Sequence, residues 1–303
     1  MAVMALVGID AGGTSFKGLL VAHDGAILAR HCEPTSSPEA TFAGMAGWIA
    51  RLGAQGHRIE AMGIASFGPI DRDPHSSEWG RIGVTTKQGW EGANPRAAME
   101  AATGIPCALD TDVNGALLAE HRLGAGRGLR DVAYVTIGTG VGGSAIVDGR
   151  LVGAPQHGEF GHIGVRRKPE DMAAFAGACS FHGDCVEGLA SAPAIRARWG
   201  CDPADLPDDH QAWDEVAGAL AQLCRSIAFI NAPQRIILGG GVMLRESLLA
   251  RIRAGFAAVT NGYGPRAEML DPQSYIVGAA LGDDAGAMGG VVLARKLLSR
   301  EVD

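Results

Sequence analysis

One pattern occurs twice in this chain and limits what it can fold into. Residues 6–28 (LVGIDAGGTSFKGLLVAHDGAIL) and 133–152 (AYVTIGTGVGGSAIVDGRLV) run in the same order: apolar strand, Gly/Thr turn, second apolar strand, Asp-Gly, short third strand. Asp24-Gly25 and Asp148-Gly149 are hairpin-turn dipeptides. Glycine turns after strands are common in α/β chains, but here strand order, turn chemistry and Asp-Gly position all repeat. A duplicated αβ unit is expected, each copy opening with an antiparallel meander.

The intervening segments carry helix and strand signals in alternation. Ser36-Ser37-Pro38-Glu39 opens a helix to about residue 55, with Pro in its first turn. Strands are expected at 59–66, 106–110 and 235–239. Helices are expected at 94–103, after 112, and at 187–199, 211–231, 245–258 and 283–299. A loop-rich stretch, 153–185, has little periodicity. Alternation of this kind means α/β layers. At roughly 100–200 residues per domain, the 303 residues make about two domains. The expected lobes are 1–111 with 290–303, and 112–289.

Composition narrows the function classes. Lys and Arg total 26 against 33 Asp and Glu, giving a net charge of −7, which argues against a nucleic-acid-binding surface. No apolar run approaches the ~20 residues of a membrane span. The N-terminus enters a strand directly, with no basic region or cleavage site. A soluble cytoplasmic protein, with neither nucleic acid nor membrane as partner, is the expectation. Of the six cysteines, Cys32, Cys107 and Cys224 stand in apolar segments and read as small buried hydrophobes.

The Gly/Thr turns have the chemistry of phosphate binding. In Asp10-Ala11-Gly12-Gly13-Thr14 the glycines let backbone N–H groups approach an anion, Thr14 adds a hydroxyl, and Lys17 can reach a phosphate oxygen. Asp10 at the strand end can hold Mg²⁺ through water. Gly138-Thr139-Gly140 repeats this chemistry, and the two turns together would clamp a triphosphate. Neither is a P-loop, and each leads into a strand, which excludes a dinucleotide fingerprint. Gly239, Gly240 and Gly241 follow a third strand and suit the face of a base or ribose.

Leu109-Asp110-Thr111-Asp112-Val113-Asn114 ends one strand and opens a helix. Asp112 can serve there as a helix N-cap. It also stands at a strand's C-terminal end, where α/β sheets place ligand chemistry, and phosphoryl transfer to an alcohol needs one carboxylate to take the hydroxyl proton. Asp112 is the candidate; Asp110 points the other way along the strand and reads as structural.

Cys179-x-x-His182-x-x-Cys185 has Zn²⁺-ligand spacing in a loop without core periodicity. His162 and His157 are both candidates for a fourth ligand. Four protein ligands leave no open position, so the metal would be structural, and two thiolates with two neutral imidazoles would cancel its charge. Glu159 and Glu187 flank this segment and can accept hydrogen bonds from sugar hydroxyls, or stand as solvated loop charges.

Taken together, DAGGT (10–14), SFGPID (66–71), LDTDVNGALLAE (109–120), IGTGVGG (137–143), GEFGHI (158–163) and CSFHGDCVEGLASAPA (179–194) resemble the ROK family of bacterial sugar kinases, in order from about residue 6 to 295. Within it the chain is most similar to the bacterial fructokinases, which have TDVN where glucose kinases have NDAN. The resemblance implies an actin/hexokinase-like (ribonuclease H-like) α/β fold, a duplicated two-lobe fold with the site in the interlobe cleft. It implies ATP and Mg²⁺ as cofactors, a structural Zn²⁺, a hexose substrate phosphorylated at its 6-hydroxyl, and a homodimer. It makes Asp112 the general base, places Thr111, Asn114, Glu159, His162 and Glu187 at the sugar, and selects His162 over His157 as the fourth ligand. One imidazole nitrogen of His162 would bind the metal while the other faces the sugar. Ala192 stands where that family commonly has Gly. Fructose is the expected substrate; a glucokinase or mannokinase is the alternative within the family. A sugar-responsive ROK regulator needs a helix-turn-helix for which the N-terminal segment has no room, and a non-catalytic nucleotide-binding scaffold would have no use for Asp112.

Overall fold

In the computed structural model, residues 3–85 and 87–299 are described. They form two compact units. The first holds the described residues up to Glu120, Gly153–His157, and those from Asp283 onward; the second holds His121–Val152 and Gly158–Gly282.

The first unit is built on a sheet of five strands: β1 Val3–Ala11, β2 Ser15–Ala22, β3 Ile27–Pro34, β4 His57–Ser66 and β5 Cys107–Thr111. Their order is β3-β2-β1-β4-β5; the first three form the expected meander, and β4 and β5 add in parallel to β1. Alternation along β1 divides the unit into layers. Ala5, Val7, Ile9 and Ala11 face one core with α1 Pro38–Ala54 and α2 Pro95–Thr103, while Leu6 faces another with the last helix, Ala285–Ser299. Both α1 and α2 begin as their sequences dictate: Ser37 and Asn94 accept from Ala40 and Ala97 amides, and each is followed by Pro. The last helix lies so close to the sheet that a Cβ on Gly8 would stand 2.0 Å from the Ala287 carbonyl oxygen. Helix α3, Asp112–Leu123, follows β5 directly, and its Gly115 meets the side of Ala65.

The second unit repeats the plan. Its strands are β6 Val132–Ile137, β7 Val141–Val147, β8 Arg150–Leu151, β9 Arg235–Gly239 and β10 Ile276–Gly278, in the order β10-β9-β6-β7-β8. Matching β6 to β1 strand by strand gives the same sequence of neighbours and the same parallel and antiparallel pairs. The duplication read from two Gly turns is therefore present in sheet topology. Its helices are α4 Pro169–Ala174, α5 Val186–Ala190, α6 Ala192–Trp199, α7 Ala212–Asn231, α8 Glu246–Thr260 and α9 Pro272–Tyr275. The core joins β6, β7 and β9 to α7 and α8 through fully buried residues such as Trp213, Leu220, Ile236 and Phe256. Each apolar side chain so buried contributes about 1.5–3 kcal/mol.

Three expectations need correction. The helix expected at 187–199 is two helices. Ser191 is extended, its hydroxyl accepts from the Ala194 amide, and Pro193 stands in the first turn of α6; inside one continuous helix its ring would collide with the carbonyl of residue 189. The 153–185 stretch carries α4 and a 3-10 turn, Phe160–His162. Cys32 is exposed, because β3 is an edge strand with one face in solvent, whereas Cys107 and Cys224 are buried as expected. Residues 300–303 of the expected first lobe lie outside the described residues, as do 1–2.

Candidate functional site

The turn between β1 and β2 has its carbonyls occupied and its amides open. Gly12 O accepts from the Thr35 hydroxyl at 2.7 Å, Thr14 O from the Thr35 amide at 2.9 Å, and Gly13 O from the Lys87 ammonium. Among the described residues the amides of Gly13 and Thr14 donate to nothing. Such a concavity of free N–H groups attracts an anion. Asp10, one strand residue before it, lies against the last helix, where a Cβ on Gly286 would stand 2.5 Å from its Cγ. Burial pushes the Asp10 carboxyl up to about 6; Lys17, its cross-strand partner, pulls it down, and Asp283 adds to the rise. A carboxylate in this state is stabilised by a further cation, which fits a role in holding Mg²⁺.

Asp112 stands at the same end of the same sheet. Asp10, Ala65 and Asp110 are in register across β1, β4 and β5, and these strands are parallel. The 12–14 turn and Asp112 thus leave the sheet two strand spacings apart, roughly 10 Å. The junction is held from behind. Thr111, 6 % exposed, accepts from the Asn114 amide at 3.1 Å, so the capping oxygen of α3 belongs to Thr111, while Asp112 is half-buried and accepts from Val113 N at 2.8 Å. Asp110 accepts from the Thr111 amide at 2.6 Å and from Asn114 Nδ2 at 2.7 Å. Asn114 is itself only 1 % exposed; its Nδ2 is committed to Asp110, while its buried Oδ1 has no partner among the described residues. It therefore supports the junction from within the unit.

Sequence reasoning missed Arg72. Its guanidinium forms an ion pair with Asp110, Nε 2.5 Å from Oδ1 and Nη2 donating to Oδ2 at 2.8 Å, and its Nη1 donates to the Gln156 carbonyl at 2.5 Å. A fork matched to a carboxylate is the geometry Arg provides and Lys does not. One Arg in a Pro/Gly-rich loop gives no sign of a partner 38 residues away.

In the second unit the turn between β6 and β7 has the same character. Gly138 O accepts from the Ala192 amide at 2.8 Å and Gly140 O from the Gly138 amide at 2.8 Å. The amides of Thr139 and Gly140 donate to nothing among the described residues. Gly138 and Thr139 line a cavity of about 710 Å³ with Ala192, Pro203, Trp213 and Gly241, a size suited to a nucleotide. Arg245 builds one wall: its guanidinium lies 4.3 Å from the Trp213 ring centre and donates to Leu206 O at 2.6 Å. Of the three glycines at the end of β9, Gly241 faces the cavity. Gly240, at φ +91°, passes so close to β6 that a Cβ would stand 2.4 Å from Ile137 O, and a Cβ on Gly239 would meet the Tyr134 hydroxyl at 2.5 Å.

The ligand atoms of His162, Cys179, His182 and Cys185 all lie within 4.8 Å of one another. His162 Nδ1 is 3.3 Å from His182 Nδ1, 3.7 Å from Cys179 Sγ and 3.6 Å from Cys185 Sγ. A tetrahedral Zn²⁺ with bonds near 2.05 Å to nitrogen and 2.3 Å to sulfur has edges of roughly 3.3 Å N···N and 3.6 Å N···S. The four residues fit that ion, and His157 is not among them. Burial pushes the metal-free Cys185 thiol up to about 11, with Cys179 adding to the rise, so a thiolate here needs a cation. Glu159 immediately precedes the 3-10 turn that carries His162, and its carbonyl accepts from the His162 amide. Glu187 follows Cys185 by two residues, and its Oε2 accepts from Val141 N at 3.0 Å.

Known proteins resemble the chain over nearly its whole length. The chain is 39% identical to "Fructokinase" of Zymomonas mobilis over 94% of its length and 95% of that protein, and 36% identical to "Fructokinase" of Pediococcus pentosaceus over 97% and 99%. The crystal structure of a ROK family glucokinase from Streptomyces griseus, in complex with glucose and AMPPNP, superposes with a TM-score of 0.74 at 27% identity, covering 96% of this chain and 99% of that one. The duplicated α/β fold is the actin/hexokinase-like one expected. The profile of the ROK family matches residues 6–297. With that match spanning nearly the whole chain, this protein belongs to the ROK family.

Proposed function

We propose that the protein is a fructokinase that transfers the γ-phosphoryl group of ATP to the 6-hydroxyl of D-fructose. The observation that carries this reading is the register of β1, β4 and β5, which sets an amide-lined turn and a carboxylate roughly 10 Å apart at one sheet end. An anion held at residues 12–14 and an alcohol held at Asp112 can then meet in line. The names of the Zymomonas and Pediococcus relatives support a fructokinase, and the AMPPNP in the Streptomyces structure supports a nucleotide as phosphoryl donor.

In this mechanism Asp112 accepts the proton of the attacking hydroxyl while the new O–P bond forms and the bond to the β–γ bridging oxygen breaks, releasing ADP. Arg72 and Asp110 keep Thr111 and Asn114 in place, so that Asp112 presents its carboxylate without local rearrangement. Gly12, Gly13, Thr14, Lys17, Gly138, Thr139 and Gly140 hold phosphate oxygens, and Gly239, Gly240 and Gly241 shape the nucleotide's seat. Asp10 would hold Mg²⁺, which neutralises charge on the phosphates when bound. Thr111, Asn114, Glu159, His162 and Glu187 form the sugar side, Asn114 from behind. His162 uses Nδ1 toward the metal cluster and has Nε2 left for a hydroxyl. Zn²⁺ is the ion proposed for His162, Cys179, His182 and Cys185, where it would order a loop that packing does not.

The test is release of ADP with fructose, mannose and glucose on one preparation. The reading predicts the highest kcat/KM for fructose. Glucose as best substrate would replace it with the glucokinase reading, and no sugar-dependent ADP release would remove kinase activity altogether.

A further inference from the structure

The metal cluster and the second glycine turn meet at one side chain. Glu187 Oε2 accepts from the Val141 amide at 3.0 Å, and the same oxygen lies 2.7 Å from where a Cβ on Gly140 would stand. The carboxylate thus sits directly under the 138–140 turn and occupies the space a side chain there would need. Three more contacts tie the same parts together. The 3-10 turn bearing His162 is pressed against β7, where a Cβ on Gly161 would stand 1.7 Å from Val141 O. The Val186 amide donates to Ile163 O at 3.1 Å, and the Ala192 amide to Gly138 O at 2.8 Å. Two of the four metal-ligand residues, His162 and Cys185, are therefore on segments locked to the turn.

The loop between them is lightly packed: Ile163 and Val165 lie against the core and Arg166 bonds Gln222, and the segment from there to Cys185 has little else to hold it. Among residues 162–184 none is buried. Its internal bonds include the short helix α4, a backbone exchange between Cys179 and Gly183, and Arg167, which reaches Asp171 O, Phe175 O and Asp184. A metal ion held by all four ligands would supply the order that burial does not. Glu187, two residues past Cys185, would be ordered with it. A carboxylate in fixed position then holds the Val141 N–H, and with it the orientation of the Thr139 and Gly140 amides beside it.

We infer that metal occupancy and nucleotide affinity are coupled through Glu187, a positioning residue for the phosphate turn: the metal-loaded protein binds a nucleoside diphosphate more tightly than the stripped protein. This rests on the reading of residues 138–140 as a phosphate site. By linkage the nucleotide tightens metal binding by the same factor. The charge on Glu187 opposes a nearby phosphate, so its benefit is its acceptor oxygen, and an amide in its place keeps that oxygen while removing the charge.

The experiment is calorimetric titration of MgADP, without sugar, into metal-loaded and chelator-stripped protein, with zinc per chain measured in each sample. The wild type should bind MgADP about tenfold more weakly when stripped, the size of effect expected for losing one hydrogen-bond acceptor. Glu187→Gln should keep both the affinity and its dependence on metal. Glu187→Ala, carrying zinc as the wild type does, should bind about tenfold more weakly than the loaded wild type, and stripping it should change little further. Equal affinity of loaded and stripped wild type overturns the inference, and so does a Glu187→Ala variant that binds like wild type and responds to metal as wild type does. Binding that is absent in every form overturns the phosphate-site reading itself. The loaded Glu187→Ala arm keeps the test decisive if the stripped protein fails to fold.

Discussion

The two glycine turns come from one duplicated plan and are supported in different ways. The first is held by neutral and cationic donors on its carbonyls, Thr35 and Lys87, and stands beside a half-buried acid, Asp10; among the described residues no Cys/His metal-ligand cluster lies beside it. The second is held by an acceptor on the amide that follows it, Glu187 on Val141, supplied by a loop that its own packing does not order. The sheet order is the same in both units, so strand topology does not account for this difference. It lies in what was added after each meander: Asp112, the carboxylate proposed to react, on the β5–α3 junction in the first unit, and the loop carrying the proposed metal ligands between β8 and α5 in the second. On the proposed reading, the same turn geometry serves one site built for chemistry and one built for holding.

The largest effect should come from the first unit's carboxylate. Asp112→Asn should lower kcat by about 10²–10⁴ while hexose binding survives. Steady-state kinetics with a separate sugar titration checks this, and a kcat within twofold of wild type would move the chemistry elsewhere. The second unit should answer to its metal. Cys185→Ser should abolish zinc, measured by elemental analysis against about one per chain in the wild type, and lower the thermal midpoint on the order of 5 °C. A variant that retains zinc would show that the remaining three residues suffice.

Asp10 sharpens the contrast through pH. Its folded value, about 6, lies above its unfolded value of 3.8. The folded state therefore holds an extra proton between these values, so stability falls as pH rises through that window, and the full penalty applies above pH 6. Asp10→Asn should stabilise the ligand-free protein by about 2–3 kcal/mol at pH 7–8 and by nothing below pH 3.8, while activity falls. Denaturation curves across pH show whether the gain has this profile; a gain independent of pH would assign it to something other than charge. The smallest effect concerns sugar choice. Thr111→Asn keeps a good capping residue for α3 and offers an amide in place of a hydroxyl, so it should raise the glucose-to-fructose ratio of kcat/KM by roughly three- to tenfold with little change in stability. An unchanged ratio would remove Thr111 from the determinants of preference.

What the sequence disclosed was whatever is written locally. The meanders are adjacent strands joined by Asp-Gly and Gly/Thr turns, and Cys179, His182 and Cys185 sit at ligand spacing within seven residues, so both could be read directly. Long-range pairing could not. Arg72 meets Asp110 across 38 residues, and β10 is a three-residue strand without periodicity whose place depends on β9. The burial of Asn114 followed from the Asp110 side chain that claims it, which composition and spacing do not reveal. The break at Ser191 was legible in principle, since Ser-Ala-Pro is a helix start, but the continuing apolar run concealed it.

The most direct test of the account is the identity of the product. Phosphorus-31 and carbon-13 NMR of a reaction containing fructose, ATP and Mg²⁺ should show one new phosphate monoester, at carbon 6, formed with stoichiometric ADP. The Asp112→Asn protein should form it slower by about 10²–10⁴. A phosphate at carbon 1, no sugar phosphate at all, or the same ester made at the wild-type rate by Asp112→Asn would contradict it.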